Sequence, residues 1–276
     1  MIVDIHNHPG DWKDEESLKY FEQTGGVPDK VFQDLWRAME VVDKVVILAS
    51  DFPYSGITAH TNDYVAAFAK MAPEKIIGFA SVDPKSPAAT DELERSVSEL
   101  GLRGVKISPY YQDFDPHDPK ITPFYEKAVE LNIPTMWHQA TSAFSRFGIL
   151  EYANPVLLDK VARTFPDLKI IVAHLGFPWG LETVSMLAKH PNVFADMSAV
   201  VVTRNWWIYN VLVNAIDYQV QEKIFFGSDY PWIKPEQMIQ ALNKLITYSE
   251  GTNLPKIPDD IVDGIIHRDS LSILGI

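Results

Sequence analysis

The sequence predicts a single α/β domain folded as a (β/α)8 TIM barrel. Three observations point there. Short apolar, β-rich runs alternate with helix-periodic stretches. There are eight such runs. No composition shift or flexible linker divides the 276 residues, so residues 1–276 are expected to form one domain. The strand-like runs are 2–6, 45–49, 76–82, 104–108, 134–138, 169–174, 193–197 and 223–227. The helices between them are expected at 30–42, 62–71, 87–100, 122–131, 155–165, 180–189, 206–219 and 235–247, with a further tail helix at 259–274. Several open on Pro, Thr or Asn, residues that suit the unsatisfied N–H groups of a helix start. An open doubly wound sheet would show the same alternation, but eight units in this length fit a barrel better. The long stretches without periodicity, 9–29, 109–121 and 139–154, all follow strands. In a barrel they lie at the C-terminal face, where active sites are built.

Composition narrows the partners. Lys and Arg number 24 against 37 Asp and Glu, a formal net charge of −13. A nucleic-acid or anionic-membrane binder would approach phosphate against its own field, so a small-molecule substrate is expected instead. No stretch approaches the ~20 apolar residues of a membrane span. The start, MIVDIHNHPG, shows no basic region or cleavage-like site, and a cytoplasmic location is the expectation. The chain has no cysteine, which removes thiolate metal sites and thiol nucleophiles. Any metal would be held by His and carboxylate.

The histidines are placed unevenly. His6, His8, His138 and His174 fall at the ends of strand-like runs, and Asp229 lies just past the last run, in FFGSDYP. In a barrel these side chains converge on one mouth. His6 and His8 are two apart on an extended segment and so point to the same side. An HxH pair alone is often incidental; with His138, His174 and Asp229 it becomes a nitrogen and oxygen set suited first to Zn²⁺, with Mn²⁺, Fe²⁺ or Co²⁺ compatible.

Taken together, IVDIHNH, GVKISPYYQDF, MWHQA, IIVAHLG and FFGSDYPW resemble the amidohydrolase superfamily. The branch they are most similar to is the amidohydrolase-2 group, which includes aminocarboxymuconate semialdehyde decarboxylase and related aromatic-acid decarboxylases. The resemblance covers nearly the whole chain and says little about substrate. It implies one divalent metal held by His6, His8, His138 and Asp229. It also implies His174 as the acid/base group acting on metal-bound water, with Asp229 able to accept a proton. Residue chemistry agrees, because imidazole titrates near neutrality and a divalent ion lowers the pKa of bound water to about 7. A buried histidine bonded to a carbonyl is the plainer reading of His174.

Other residues are candidates for substrate contact. Alternation in RGVKIS turns Lys106 inward if Val105 and Ile107 face helices. Such a lysine pairs with a carboxylate or binds a substrate anion; in other branches of the superfamily it is carboxylated and bridges two metals. Arg146, after His138, and Arg204, in TRNWWIYN, are candidate carboxylate clamps, though each alone reads as a surface arginine. Trp232 and the aromatics Trp12, Phe52, Tyr54, Tyr110, Tyr111, Trp179 and Tyr230 suggest walls for a flat or apolar small molecule. His60, His190 and His267 read as ordinary, and His117 as a lid candidate.

Two enzymatic readings follow. The first is a metal-dependent hydrolase of a small amide, lactone or related carboxylic compound. The alternative is a metal-dependent decarboxylase (carboxy-lyase) or hydratase of a small aromatic or unsaturated carboxylic acid. A non-catalytic binding barrel would not need an acid/base group beside an open metal position. Outer helices of such barrels often pair, so a homodimer is a further expectation.

Overall fold

The computed structural model describes residues 1–10, 14–52, 60–142 and 148–276. Eight parallel strands follow one another in order around one sheet: β1 (Val3–Asn7), β2 (Lys44–Leu48), β3 (Ile76–Ser81), β4 (Val105–Ile107), β5 (Thr135–Trp137), β6 (Ile170–Val172), β7 (Val193–Asp196) and β8 (Ile224–Phe225). The seam between β8 and β1 is stitched by single bonds. Ile5 N–H donates to Phe226 O at 3.1 Å, Asp229 N–H to His6 O at 2.8 Å, and His8 N–H to Tyr230 O at 2.8 Å. Gly227 sits at this seam, where a Cβ would crowd the Cβ of His6 at 3.1 Å and of Ser198 at 3.3 Å, so the close approach favours glycine.

Strand parity sorts the core. Val105, Ile107, Trp137, Ile170 and Val172 join the large cluster between sheet and helices. Val3, Ile5, Val46, Leu48, Phe79, Met136, Ile171 and Phe225 form a second cluster inside the barrel. Leu271 and Leu274 of the last helix join it, and Lys169 Nζ donates to Leu274 O at 2.7 Å, so this helix plugs the N-terminal end. The register of β1 on β2 shifts between Asp4 and Asn7. Such an irregularity re-aims side chains. Ile5 thereby belongs to the inner apolar cluster while its neighbour His6 meets Lys106 and Asp196.

The helices are α1 (Glu15–Thr24), α2 (Asp29–Ala38), α3 (Asn62–Lys70), α4 (Ala89–Ser98), α5 (Pro109–Gln112), α6 (Thr122–Glu130), α7 (Leu158–Thr164), α8 (Gly180–Lys189), α9 (Val200–Thr203), α10 (Asn205–Asp217), α11 (Pro235–Ile246), α12 (Asp259–His267) and α13 (Ser270–Leu274). Three differences from the sequence reading are informative. The stretch 9–29 contains α1, whose buried position is Ser17 and whose start is capped by Asp14 accepting from Ser17 N–H at 3.0 Å. Residues 155–157 form a 3₁₀ turn before α7. The tail is two helices, because Arg268 turns extended and Asp269 caps α13 by accepting from Ser272 N–H at 3.1 Å. Among the described residues no helix is long and apolar enough to cross a membrane.

Candidate metal and acid–base site

Strand ends carry the site. His6 is in β1 and His8 one residue past it; Lys106 is in β4; His138 follows β5 directly; Asp196 closes β7. His174 follows β6 in a 3₁₀ turn, Ala173–Gly176, with left-handed dihedrals of φ 57 and ψ 28. Asp229 follows β8 at φ 70. Left-handed backbone is costly for residues other than glycine and is held here by surrounding bonds. The His174 N–H donates to Asp196 Oδ1 at 3.2 Å, and the Asp229 N–H to His6 O.

The side chains then meet. Asp229 Oδ1 lies 3.6 Å from His6 Nε2 and 3.5 Å from His8 Nε2. His174 Nε2 is 3.3 Å from His138 Nδ1, and its Nδ1 is 2.8 Å from Ser198 Oγ and 3.2 Å from Ser198 O. Lys106 Nζ donates to His6 Nε2 at 3.0 Å. On its other side His6 Nδ1–H donates to Asp196 Oδ2 at 2.9 Å.

Burial sets the protonation states. His6 is lowered to about 4, by desolvation first and by Lys106 second, so it is neutral near pH 7. Desolvation also lowers His138 and His174. Lys106 is lowered to about 8 by burial, with Asp196 and Asp229 opposing the shift. Burial works against the charged carboxylates as well, but His8, His6 and His174 hold Asp229 below the usual range, and His6, His174 and Lys106 do so for Asp196. The site thus presents neutral imidazoles beside ionised carboxylates, the protonation state in which a divalent cation is bound.

His6, His8 and Asp229 form a group that could hold a metal ion, their donor atoms all within 4.8 Å of one another. Ligand atoms around one ion at 2.0–2.2 Å stand about 3.4 Å apart, close to what Asp229 Oδ1 makes with both histidines. Asp229 Oδ1 and His138 Nε2 are buried and make no hydrogen bond, as ligand atoms would. His138 lines the same cavity, its Nδ1 3.3 Å from His174 Nε2, outside the tightest group. A second tight group joins His6, His174 and Asp196. Its atoms are already engaged in hydrogen bonds with one another and with Ser198.

The cavity over these residues has a volume of about 550 Å³, a size suited to a small molecule. Phe52, Tyr111, Phe177 and Trp232 form walls, and Arg204 is exposed at the rim with its guanidinium 5.0 Å over the Phe177 ring. Trp232 stands edge-on to His8 at 5.4 Å. Arg146, Trp12 and Tyr54 lie outside the described residues. His117 is not among the residues lining the cavity, and its Nε2 bonds Leu157 O at 2.7 Å. Of the histidines read as ordinary, His60 lines the cavity, and His190 is buried and bonded to Asp159 Oδ1 at 2.8 Å. Asp196 and Ser198, the junction of the network, carried no signal beyond two polar residues ending the apolar run VFADMS.

A family model described as amidohydrolase matches residues 3–268. The chain belongs to the amidohydrolase family. Among its relatives, 2-amino-3-carboxymuconate-6-semialdehyde decarboxylase of Dictyostelium discoideum is 24% identical over 255 residues, a match covering 80% of this chain and 67% of that one. A 2-keto-4-carboxy-3-hexenedioate hydratase of a Sphingobium species is 30% identical over 200 residues, covering 61% of this chain and 56% of the relative. An uncharacterized TIM-barrel protein of Bordetella bronchiseptica shares the fold with a TM-score of 0.73 at 20% identity, covering 99% of this chain and 98% of that one. The relatives' activities fit the second enzymatic reading, carboxy-lyase or hydratase, better than hydrolysis.

Proposed function

We propose that this enzyme is a metal-dependent decarboxylase of a small aromatic or unsaturated carboxylic acid. The observation that carries the reading is the joining of His6, His8 and Asp229 around a common point at the base of an aromatic-walled cavity. The decarboxylase relative supports the chemistry. A bound divalent ion, Zn²⁺ by the donor set, would supply positive charge for a substrate carboxylate or adjacent hydroxyl. His6, His8 and Asp229, with His138 beside them, are the residues that would hold it.

This chain's own groups do the rest. The Lys106 ammonium supplies a second positive charge at the cavity floor, and Arg204 offers a carboxylate contact at the rim. Phe52, Tyr111 and Trp232 exclude water from the face of a flat substrate. Loss of CO₂ from R–CO₂⁻ breaks the carbon–carbon bond, leaves its electron pair on the substrate carbon and requires one proton there. His174 Nε2, a neutral nitrogen, can take that proton from a substrate hydroxyl or water and return it to carbon. The hydratase relative supports a second reading, addition of water across a carbon–carbon double bond, which uses the same proton exchange.

The test is CO₂ release from a panel of hydroxybenzoates and unsaturated dicarboxylates by the Zn²⁺-loaded protein. Turnover of at least one acid is expected, with His174→Ala keeping its metal and losing about 10²–10⁴-fold in rate. Water addition without CO₂ would favour the hydratase reading. Near-normal turnover by His174→Ala would remove it from the mechanism.

A further inference from the structure

Asp196 is fully buried and does not itself line the cavity, yet it bonds to two of the histidines that do. Its Oδ2 accepts from His6 Nδ1 at 2.9 Å. Its Oδ1 accepts from the His174 N–H at 3.2 Å, from the Ser198 N–H at 3.0 Å and from Ser198 Oγ at 2.5 Å. A carboxylate only accepts, so each of these bonds has a fixed direction.

Those directions propagate. The Ser198 hydroxyl spends its hydrogen on Asp196 and can only accept, from His174 Nδ1 at 2.8 Å and from His6 Nδ1 at 3.1 Å. The Ser198 carbonyl, also facing His174 Nδ1, only accepts as well. His174 Nδ1 therefore carries the hydrogen, and His174 Nε2 keeps its lone pair. His138 Nδ1–H can donate to that lone pair, which leaves His138 Nε2 bare. On the other branch His6 Nδ1 carries hydrogen toward Asp196 and Nε2 presents a lone pair, now facing the donor-only Lys106 ammonium.

We infer that Asp196 is a positioning residue that fixes the tautomers of His6, directly, and of His174, through Ser198, so that Nε2 of each is the bare nitrogen. Outer hydrogen bonds of this kind orient histidine ligands and set which nitrogen is free. The turn after β7 is built to serve the second branch. Ala199 sits at φ 60 and ψ −41, and the Val200 N–H returns to Ser198 O at 2.7 Å, a tight turn of the rare, strained kind. It brings the Ser198 carbonyl against His174. The inference rests on the metal reading above only for its affinity readout.

The decisive variant is Asp196→Asn. Two of the donors on Oδ1 are backbone N–H groups that cannot turn, so the amide oxygen must take that place and the NH₂ must face His6 Nδ1. An NH₂ group only donates, so it drives the His6 hydrogen from Nδ1 to Nε2, and Lys106 Nζ, 3.0 Å from Nε2, turns away or gives up a proton to accept it. His174 keeps its tautomer, because the Ser198 carbonyl still requires a donor. The measurement is long-range ¹⁵N–¹H correlation on histidine-labelled protein, free of metal and then titrated with Zn²⁺.

Wild type is expected to show Nδ1–H for both His6 and His174. Asp196→Asn is expected to show Nε2–H for His6 alone, with Zn²⁺ affinity lowered about 10–100-fold. A folded variant in which His6 is unchanged, or in which both histidines change together, overturns the inference. Should the variant not fold, the wild-type spectrum decides: Nε2–H on His6 overturns it and Nδ1–H supports it. A wild type with both expected tautomers but no Zn²⁺ binding upholds the positioning role and defeats the metal reading instead.

Discussion

Lys106 on β4 and Met136 on β5 are register partners, side by side inside the barrel, yet they belong to different layers. Met136 sits in the apolar cluster with Val3, Val46, Ile171 and Phe225, closed below by Leu274. Lys106 sits with His6, His138, His174, Asp196 and Asp229, none more than 9% exposed. Both layers are buried. The lower one stabilises the fold in proportion to the apolar area it hides. The upper one costs free energy, because each charged or polar group gives up water and is only partly compensated by its partners. The layer that stabilises the fold and the layer proposed to carry activity are neighbouring rungs of the same strands, and substitutions should separate them.

The largest effect is expected in the upper layer. The double variant His6→Ala, His8→Ala should retain no bound Zn²⁺ and no turnover, while circular dichroism still reports a folded barrel. Full metal occupancy would refute the ligand assignment. In the lower layer the reverse is expected. Phe225→Ala should cost about 3–5 kcal/mol in urea unfolding with activity per folded molecule kept, since the change opens space away from the reacting groups. A rate loss larger than the loss of folded protein would show that the layers are not separable.

The smallest effect is a slope with pH. In the folded chain His6 is lowered to about 4 from its ordinary 6.5, by burial and by Lys106. The unfolded chain therefore binds more protons between these values, and stability present above pH 6.5 is lost as pH falls toward about 4. In metal-free protein His6→Gln should flatten the dependence in that window. An unchanged slope would assign it to other groups.

How much of this was legible in the sequence differs between the two layers as well. Each strand shows itself as an apolar run, and the residues that interrupt the runs at their ends, His6, His138 and His174, stand out for that reason. Asp196 ends β7 in the same way, but Asp and Ser are common where strands turn, and no paired spacing marks them. Helix α1 was missed because Ser17 is its buried residue and its remaining surface is polar or half covered, so no apolar stripe announces it. The break between α12 and α13 depends on Arg268 reaching the carbonyls of Gln221 and Ile224, partners far away in sequence. His60 reaches the cavity from a segment without a motif. Tertiary placement decided these features, and local pattern does not encode it.

The seam between the first and last strands has a consequence for how the protein is made. Of the three groups gathered around the common point, His6 and His8 come from β1 and Asp229 from the end of β8. A ribosome-bound chain that has not yet released β8 has no such point to offer, however well its earlier strands pair. Any cation taken up there would count only toward the closed ring, and would raise its stability by mass action alone. It would act as a clasp that recognises a closed barrel, fastening the first strand to the last where the backbone joins them through single hydrogen bonds.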